Sequence, residues 1–437
     1  MEPGRAELGV AAVVVLGLTV GIGMLAASAT DQPTAGREPT RPATLSPSDG
    51  FTQLHADGIT GRNVSVGVVD ATGFNMDTPA VRDRIRAARA FGGGPLRENG
   101  THGTATAEVI ARTAPDATFY LARVDGVDSY QHAVRWLLGK GVDVIVAPVS
   151  FYGQPGDGTG PVGRTAQQAT ADGTVFIAPA GNLGQSHWRG TYDEPTVTDS
   201  TVVFANESRR AFVSGGTELV IWLSWDREHA AEDYTVELYR TNGTGSQLVA
   251  FSQPYRGDEA PNERIVADVR PGRYFVVVRG PAEPTGARLR LVSPTHDLQH
   301  ARARESVVTP ATARGVVGVG AYNSRFDQLE PYSSHGPTAD GRLGVDVVAP
   351  NRRYAGATPS GFVGTSAAAA YVGGAVTLML DANGDLSPRH VRILLKLTAR
   401  DVGPVGVDYA TGHGEVVPTS AVSAAQNRTT ADPSSGR

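Results

Sequence analysis

The chain contains no cysteine. Disulfides, thiolate metal sites and a cysteine nucleophile are excluded with it. Lysine is nearly absent: Lys140 and Lys396 stand among 39 basic residues, and all the others are arginine. The basic residues form no long run and the formal net charge is −5. The electrostatic footprint of a nucleic-acid binder is therefore missing, and no nucleic-acid partner is expected. No Gly-x-Ser-x-Gly string occurs, which removes the nucleophile elbow of lipases and esterases. Charged residues make up 19% of the 437 positions and hydrophobic residues 40%. That balance describes a folded chain, long enough for more than one domain and for a large core.

One long hydrophobic run is present. Leu8–Ala29 carries no charge and is mostly apolar. A bilayer span needs about 20 such residues, whereas a secretory apolar region runs roughly 7–15. The run also closes on Ala27-Ser28-Ala29, a small-residue pattern suited to cleavage. Residues 1–29 thus read as a transmembrane anchor or a signal peptide. Either places the remainder outside the cytoplasm, held at the cell membrane or secreted. Residues 30–56 are rich in Pro, Thr, Ser and charge and read as a flexible linker.

From residue 57 the text becomes α/β. Val64–Val69, Tyr120–Val124, Val142–Val149 and Val175–Ala178 are β-branched or apolar runs suited to buried strands. Helix candidates lie between them at Thr104–Ala114, stopped by Pro115, and at Tyr130–Leu138. Strands alternating with helices predict a parallel sheet covered on both faces. The texture then changes. Val202–Ala205, Leu219–Trp225, Tyr234–Tyr239, Leu248–Ser252, Ile265–Val269, Tyr274–Val278 and Leu289–Val292 are short β-rich runs separated by Gly, Pro, Asn and Asp. They predict an all-β sandwich over 193–302, of about 100 residues. The α/β text resumes near Val316–Gly320 and Val345–Ala349. The expected organisation is an α/β domain over 57–192 and 303–424, interrupted by an inserted sandwich, with a disordered tail over 425–437.

Four local strings carry chemistry. Val66–Phe74, VGVVDATGF, puts Asp70 at the carboxyl end of a strand, where open α/β sheets build sites. Asn99–Ala111 puts His102 at the start of a small-residue helix, where a charged histidine opposes the favoured sign of the helix dipole. Phe176–Asn182, FIAPAGN, ends a strand in a small-residue turn that delivers Asn182. Gly364-Thr365-Ser366, followed by Ala367–Ala370, puts a serine at a helix N-terminus. There, backbone N–H groups and the dipole favour a developing oxyanion. Each has a bland reading too: a turn aspartate, a helix-start histidine, a turn asparagine and an N-cap serine.

Taken together, these strings resemble the subtilisin family (subtilases) of serine proteases, whose triad runs in the chain order Asp, His, Ser. Val142–Ser150 is similar to that family's substrate-binding strand. Val308–Ala313 with Val316–Ala321, Tyr332–Pro337 with Asp346–Pro350, and Gly412-His413-Gly414 are similar to further family segments. The resemblance implies an α/β, parallel-sheet catalytic domain with Asp70, His102 and Ser366 as triad and Asn182 as oxyanion donor. It implies a substrate strand along 126–129 and 148–153, and a pocket built by Ser150, Phe151, Tyr152, Gly153, Ala178, Pro179 and Ala180. Protein or peptide substrates and no cofactor for the chemistry are expected; a structural calcium is common in the family, but no site is assigned here. Asp381–Asp385 begins like a calcium loop. Leu386 and Arg392 stand where such a loop needs Gly and Glu, and Ser387-Pro388 reads as a helix start. The sequence departs from the family at Ala367–Tyr371, which lacks the usual proline, and at Ala71-Thr72-Gly73, where the turn is displaced by one residue. Residues 30–56 are also too few for a prosegment. These departures motivate an alternative: a weak or inactive protease scaffold that binds at a surface through its sandwich.

Overall fold

A computed structural model of the protein describes residues 47–205, 208–215, 218–255, 260–351 and 362–428. The apolar run Leu8–Ala29 lies outside them. No helix among the described residues is long and apolar enough to cross a membrane.

After its second strand the first half alternates helix and strand. Helix α1 (Pro47–Ala56) leads into β1 (Ser65–Asp70), β2 (Ile85–Phe91), α2 (His102–Thr113), β3 (Thr118–Val124), α3 (Val127–Leu138), β4 (Val144–Val146), α4 (Pro161–Ala171) and β5 (Val175–Pro179). An all-β stretch follows: β6 (His187–Thr191), β7 (Val197–Thr198), β8 (Thr201–Val202), β9 (Ala211–Gly215), β10 (Glu218–Trp225), β11 (Thr235–Thr241), β12 (Ser246–Phe251), β13 (Gln253–Pro254), β14 (Asn262–Asp268), β15 (Gly272–Arg279) and β16 (Arg288–Val292). The chain closes with β17 (Val317–Asn323), β18 (Gln328–Leu329), β19 (Val347–Pro350), α5 (Thr365–Ala382), α6 (Pro388–Thr398) and α7 (Pro418–Gln426).

The α/β part is a mixed, mostly parallel eight-stranded sheet in the order β18-β17-β5-β4-β1-β3-β2, with β19 beside β17. Only β17–β18 is antiparallel. Both faces are covered, as parallel strands require. Val66 and Val68 of β1 join one core with α2 and α5, and Val69 joins the other with α3 and α4. Helix α5 is buried from Thr365 to Leu380, so small residues are a packing need. A Cβ on Gly374 would overlap the Thr113 hydroxyl of α2.

The all-β stretch forms two antiparallel sheets, β13-β14-β10-β16-β6 and β12-β11-β15-β8-β7, the second joined by β9 at β15. Alternation along β10 decides what each face meets. Leu219, Ile221 and Leu223 share one core with Val236 and Leu238 of β11 and Val276 and Val278 of β15. Val220 and Trp222 point the other way, onto Leu183, Val308 and Tyr152 of the α/β part.

Three boundaries differ from the sequence reading. Residues 47–56 are helix, not linker, because Phe51 and Leu54 drop into the main core. The all-β stretch begins at β6, since His187–Thr191 pairs along its length with β16. Its two ends are tied there: the Arg302 N–H donates to the His187 carbonyl at 2.7 Å, and His187 Nδ1 lies 2.9 Å from the Arg302 carbonyl. The tail reading also began inside α7, where Ala425 is buried; residues 429–437 lie outside the described ones. Ser387 does cap α6, accepting from the His390 N–H, with Pro388 in the first turn.

Candidate active site

The carboxyl end of β1, an interior strand, places Asp70 fully buried where the strand stops. Its Oδ2 lies 2.7 Å from His102 Nδ1. A hydrogen bond there puts the proton on Nδ1 and leaves Nε2 free as an acceptor. The other carboxylate oxygen accepts from the Thr72 N–H and hydroxyl, each at 2.9 Å. The Thr72 oxygen in turn accepts from the Gly103 N–H at 2.9 Å. Thr72 therefore holds the aspartate and the start of the histidine helix together. The displaced turn after Asp70 does not loosen the site; it supplies this clamp. The only sequence hint was a hydroxyl two residues beyond a strand-end aspartate.

His102 is the first residue of α2, after Thr101 as N-cap. The Thr101 hydroxyl donates to the Gly73 carbonyl at 2.6 Å, which fixes the helix against the Asp70 turn. The imidazole side chain is 10% exposed and stands edge-on to Phe362, with 5.1 Å between centroids. Phe362 precedes α5, so the same ring bridges the histidine and serine helices.

Ser366 is the second residue of α5 and 9% exposed. Gly364 enters the helix at φ 112°, a conformation that favours glycine. The N-terminal N–H groups are then assigned one by one. That of Thr365 donates to Asn182 Oδ1 at 3.0 Å, and those of Ala367 and Ala368 reach the Gly364 carbonyl. The Ser366 N–H has no partner among the described residues. Asn182 Oδ1 also accepts from the Thr365 hydroxyl at 2.9 Å. With its oxygen held by two donors, the amide orients Nδ2 the other way, and Nδ2 has no partner among the described residues. Two unspent donors thus flank the serine. Ser366 makes no hydrogen bond to His102 among the described residues; such contacts commonly tighten only when substrate arrives.

The residues expected to form a pocket are placed less uniformly. Phe151 is buried against Tyr130, 5.1 Å between ring centroids, and its N–H pairs with the Thr309 carbonyl. Tyr152 packs with Leu183, Trp222 and Val308, and burial pushes its hydroxyl up to about 12. The Gly153 carbonyl accepts from Asn262 Nδ2 of β14 at 3.3 Å. Ser150 is half-buried. Ala178, Pro179 and Ala180 are all buried, and the Ala180 carbonyl is taken by the Val308 N–H. Their side chains offer no open wall; they form the strand end on which the Asn182 turn is built. The contribution of β10, β14 and β16 to this region was not foreseen from the sequence. Among the described residues, no group of three or more His, Asp or Glu side chains could hold a metal ion.

Comparison with known proteins finds likeness to subtilases in sequence and fold. The model of the subtilase family matches residues 272–414. Subtilisin E of Bacillus subtilis is 30% identical over 193 residues, covering 38% of this chain and 48% of that protein. A subtilisin of Bacillus pumilus is likewise 30% identical over 193 residues, covering 38% of this chain and 66% of its own length. The chain thus spans about half the length of most of the curated relatives it matches. Among solved structures, the CspB protease of Clostridium perfringens superposes with a TM-score of 0.61 at 16% identity, over 86% of this chain and 98% of that one. The prenylagaramide maturation protease PagA gives 0.50 at 14% identity, over 87% and 99%. At these identities the structural likeness concerns the fold.

Proposed function

The chain belongs to the subtilase family, and from that premise we propose that it is a serine endopeptidase working through Asp70, His102 and Ser366. Ser366 Oγ attacks a peptide carbonyl while His102 Nε2 takes its proton. Asp70 holds the imidazole in the needed tautomer and stabilises the imidazolium. The oxyanion is received by the Ser366 N–H and Asn182 Nδ2. Collapse expels the amine, which takes the proton from His102, and water then hydrolyses the acyl-enzyme. The observation that carries this reading is the pair of unspent donors beside Ser366 together with the 2.7 Å Asp70–His102 contact. The alternative of a non-catalytic binding scaffold has no observation of its own in favour.

Three further parts belong to the same reading. The antiparallel sheets over 187–302 form an inserted sandwich module. The substrate runs extended along 126–129 and 148–153. The enzyme works outside the cytoplasm, supported by the apolar run Leu8–Ala29. The test of the chemistry uses a fluorophosphonate probe on the full chain and on Ser366→Ala, with mass spectrometry to locate the adduct. Labelling of Ser366 in the parent alone is expected. A folded parent that stays unlabelled overturns the assignment.

A further inference from the structure

A cavity of about 260 Å³ lies between residues 153–157 and the ends of β10 and β16. It begins where the segment Ser150–Gly153 leaves off. Two arginines at its rim have partners. Arg288 lies 3.6 Å from Asp226, and Arg189 pairs with Glu305. Arg290, deeper in the same cavity, is different. Its terminal nitrogens reach only backbone carbonyls: Tyr152 at 3.5 Å, Ser306 and Val307 at 3.4 Å. These lie beyond the usual N–H···O range. Its Nε is buried with no partner, and no carboxylate pairs with it among the described residues. Burial and the neighbouring Arg189 lower its pKa to about 10, so it remains a cation at neutral pH.

Gln154 lines the same cavity at 2% exposure. Neither its Oε1 nor its Nε2 has a partner among the described residues. A half-buried guanidinium with no paired carboxylate, in a cavity that also holds a buried amide with no partner among the described residues, is costly. Such a pair is explained by a ligand that supplies acceptors and negative charge. A carboxylate does both: it is acceptor-only, and it forms charge-assisted bonds with guanidinium and amide N–H groups. A neutral amide brings no charge to pair with Arg290. The volume suits one side chain or one small acid.

We propose that this cavity is a carboxylate subsite read by Arg290 and Gln154, and that it takes an acidic side chain of a peptide lying along 150–153. The carboxylate chemistry rests on the cavity alone; the peptide as its source rests on the endopeptidase reading. The test measures binding to the full chain carrying Ser366→Ala, so that it does not depend on turnover. The probes are blocked hexapeptides with one Glu, or its Gln twin, moved through each position, and glutarate as a free acid. One Glu position is expected to bind about ten-fold or more tightly than its Gln twin. Adding Arg290→Met, or separately Gln154→Leu, should bring that ratio close to one. Glutarate binding that needs Arg290, without discrimination by any peptide, supports the carboxylate site and assigns it to a small acid. Equal binding of all twins with no glutarate binding overturns the proposal. So does a Glu preference that survives both substitutions. Cleavage by the Ser366 parent is scored separately, so a failed subsite and a failed protease reading give different patterns.

Discussion

At the scale of single residues, the proposed mechanism gives Asn182 two jobs with two atoms. Oδ1 holds the Thr365 N–H and hydroxyl, and Nδ2 is left for the oxyanion. Asn182→Asp separates the jobs, because it keeps the acceptor and loses the donor. The thermal midpoint should hardly move, while kcat falls by roughly 10²–10³ or more, the scale seen when an oxyanion donor is removed from subtilisin. Asn182→Ala should lose both and also destabilise, by about 1–3 kcal/mol for the orphaned Thr365 N–H. Undiminished kcat in Asn182→Asp would remove Asn182 from the chemistry. The four central residues were legible because each lies in a short string at the end of a strand or helix. Thr72 was not. Its role needs the Gly103 N–H, which only the fold brings to it. Ala178–Ala180 read as a pocket wall because they are small residues after a strand; in the fold the Ala178 and Ala180 side chains pack into the core shared with α3 and α4.

At the scale of elements, periodic apolar runs were read well and mixed ones were missed. β2 reads Ile85–Phe91, alanines broken by exposed Arg86 and Arg89, a composition that favours helix. It is an edge strand and has no need of a buried pattern. α1 begins in Pro- and Ser-rich text, which reads as linker, though Phe51 and Leu54 stand on one face. β6 was invisible for another reason: His187–Thr191 is a strand only because β16 lies beside it. That strand carries a pH prediction. Burial lowers the His187 pKa from 6.5 to about 3, with Arg290 and Arg189 adding repulsion. The unfolded chain therefore binds the proton first, and stability rises with pH between about 3 and 6.5. Burial lowers His296, His335 and His413 as well. Denaturant midpoints should fall as pH drops from 7 to 4, and His187→Asn should remove part of that slope. A slope identical in the variant would show that His187 is not the group being protonated.

At the scale of the whole molecule, the question is whether the antiparallel sheets merely ride on the α/β part. Pattern alone shows that β10 has two apolar faces, but not what the second one meets. In the fold, Trp222 is buried at that contact with Leu183 and Val308, and Tyr152 packs onto the same cluster. Leu183 follows Asn182, and Tyr152 belongs to the expected substrate segment. The contact thus lies between the sheets and both sides of the site. The Trp222 ring also stacks edge-on with Tyr255 at 5.0 Å and lies under Arg264 at 5.2 Å. Removing a buried Trp costs about 3–5 kcal/mol. Trp222→Ala should therefore lower the thermal midpoint by several degrees. If the sheets position the site, kcat/KM for a peptide should fall with it by about ten-fold, measured well below the new midpoint. Phe251→Ala, on an edge strand and 58% exposed, should leave both unchanged. A lower midpoint with kcat/KM intact would mean that the junction stabilises the chain without shaping the site, because an error in the placement of Tyr152 or the Asn182 turn reaches the substrate directly and cannot stay silent.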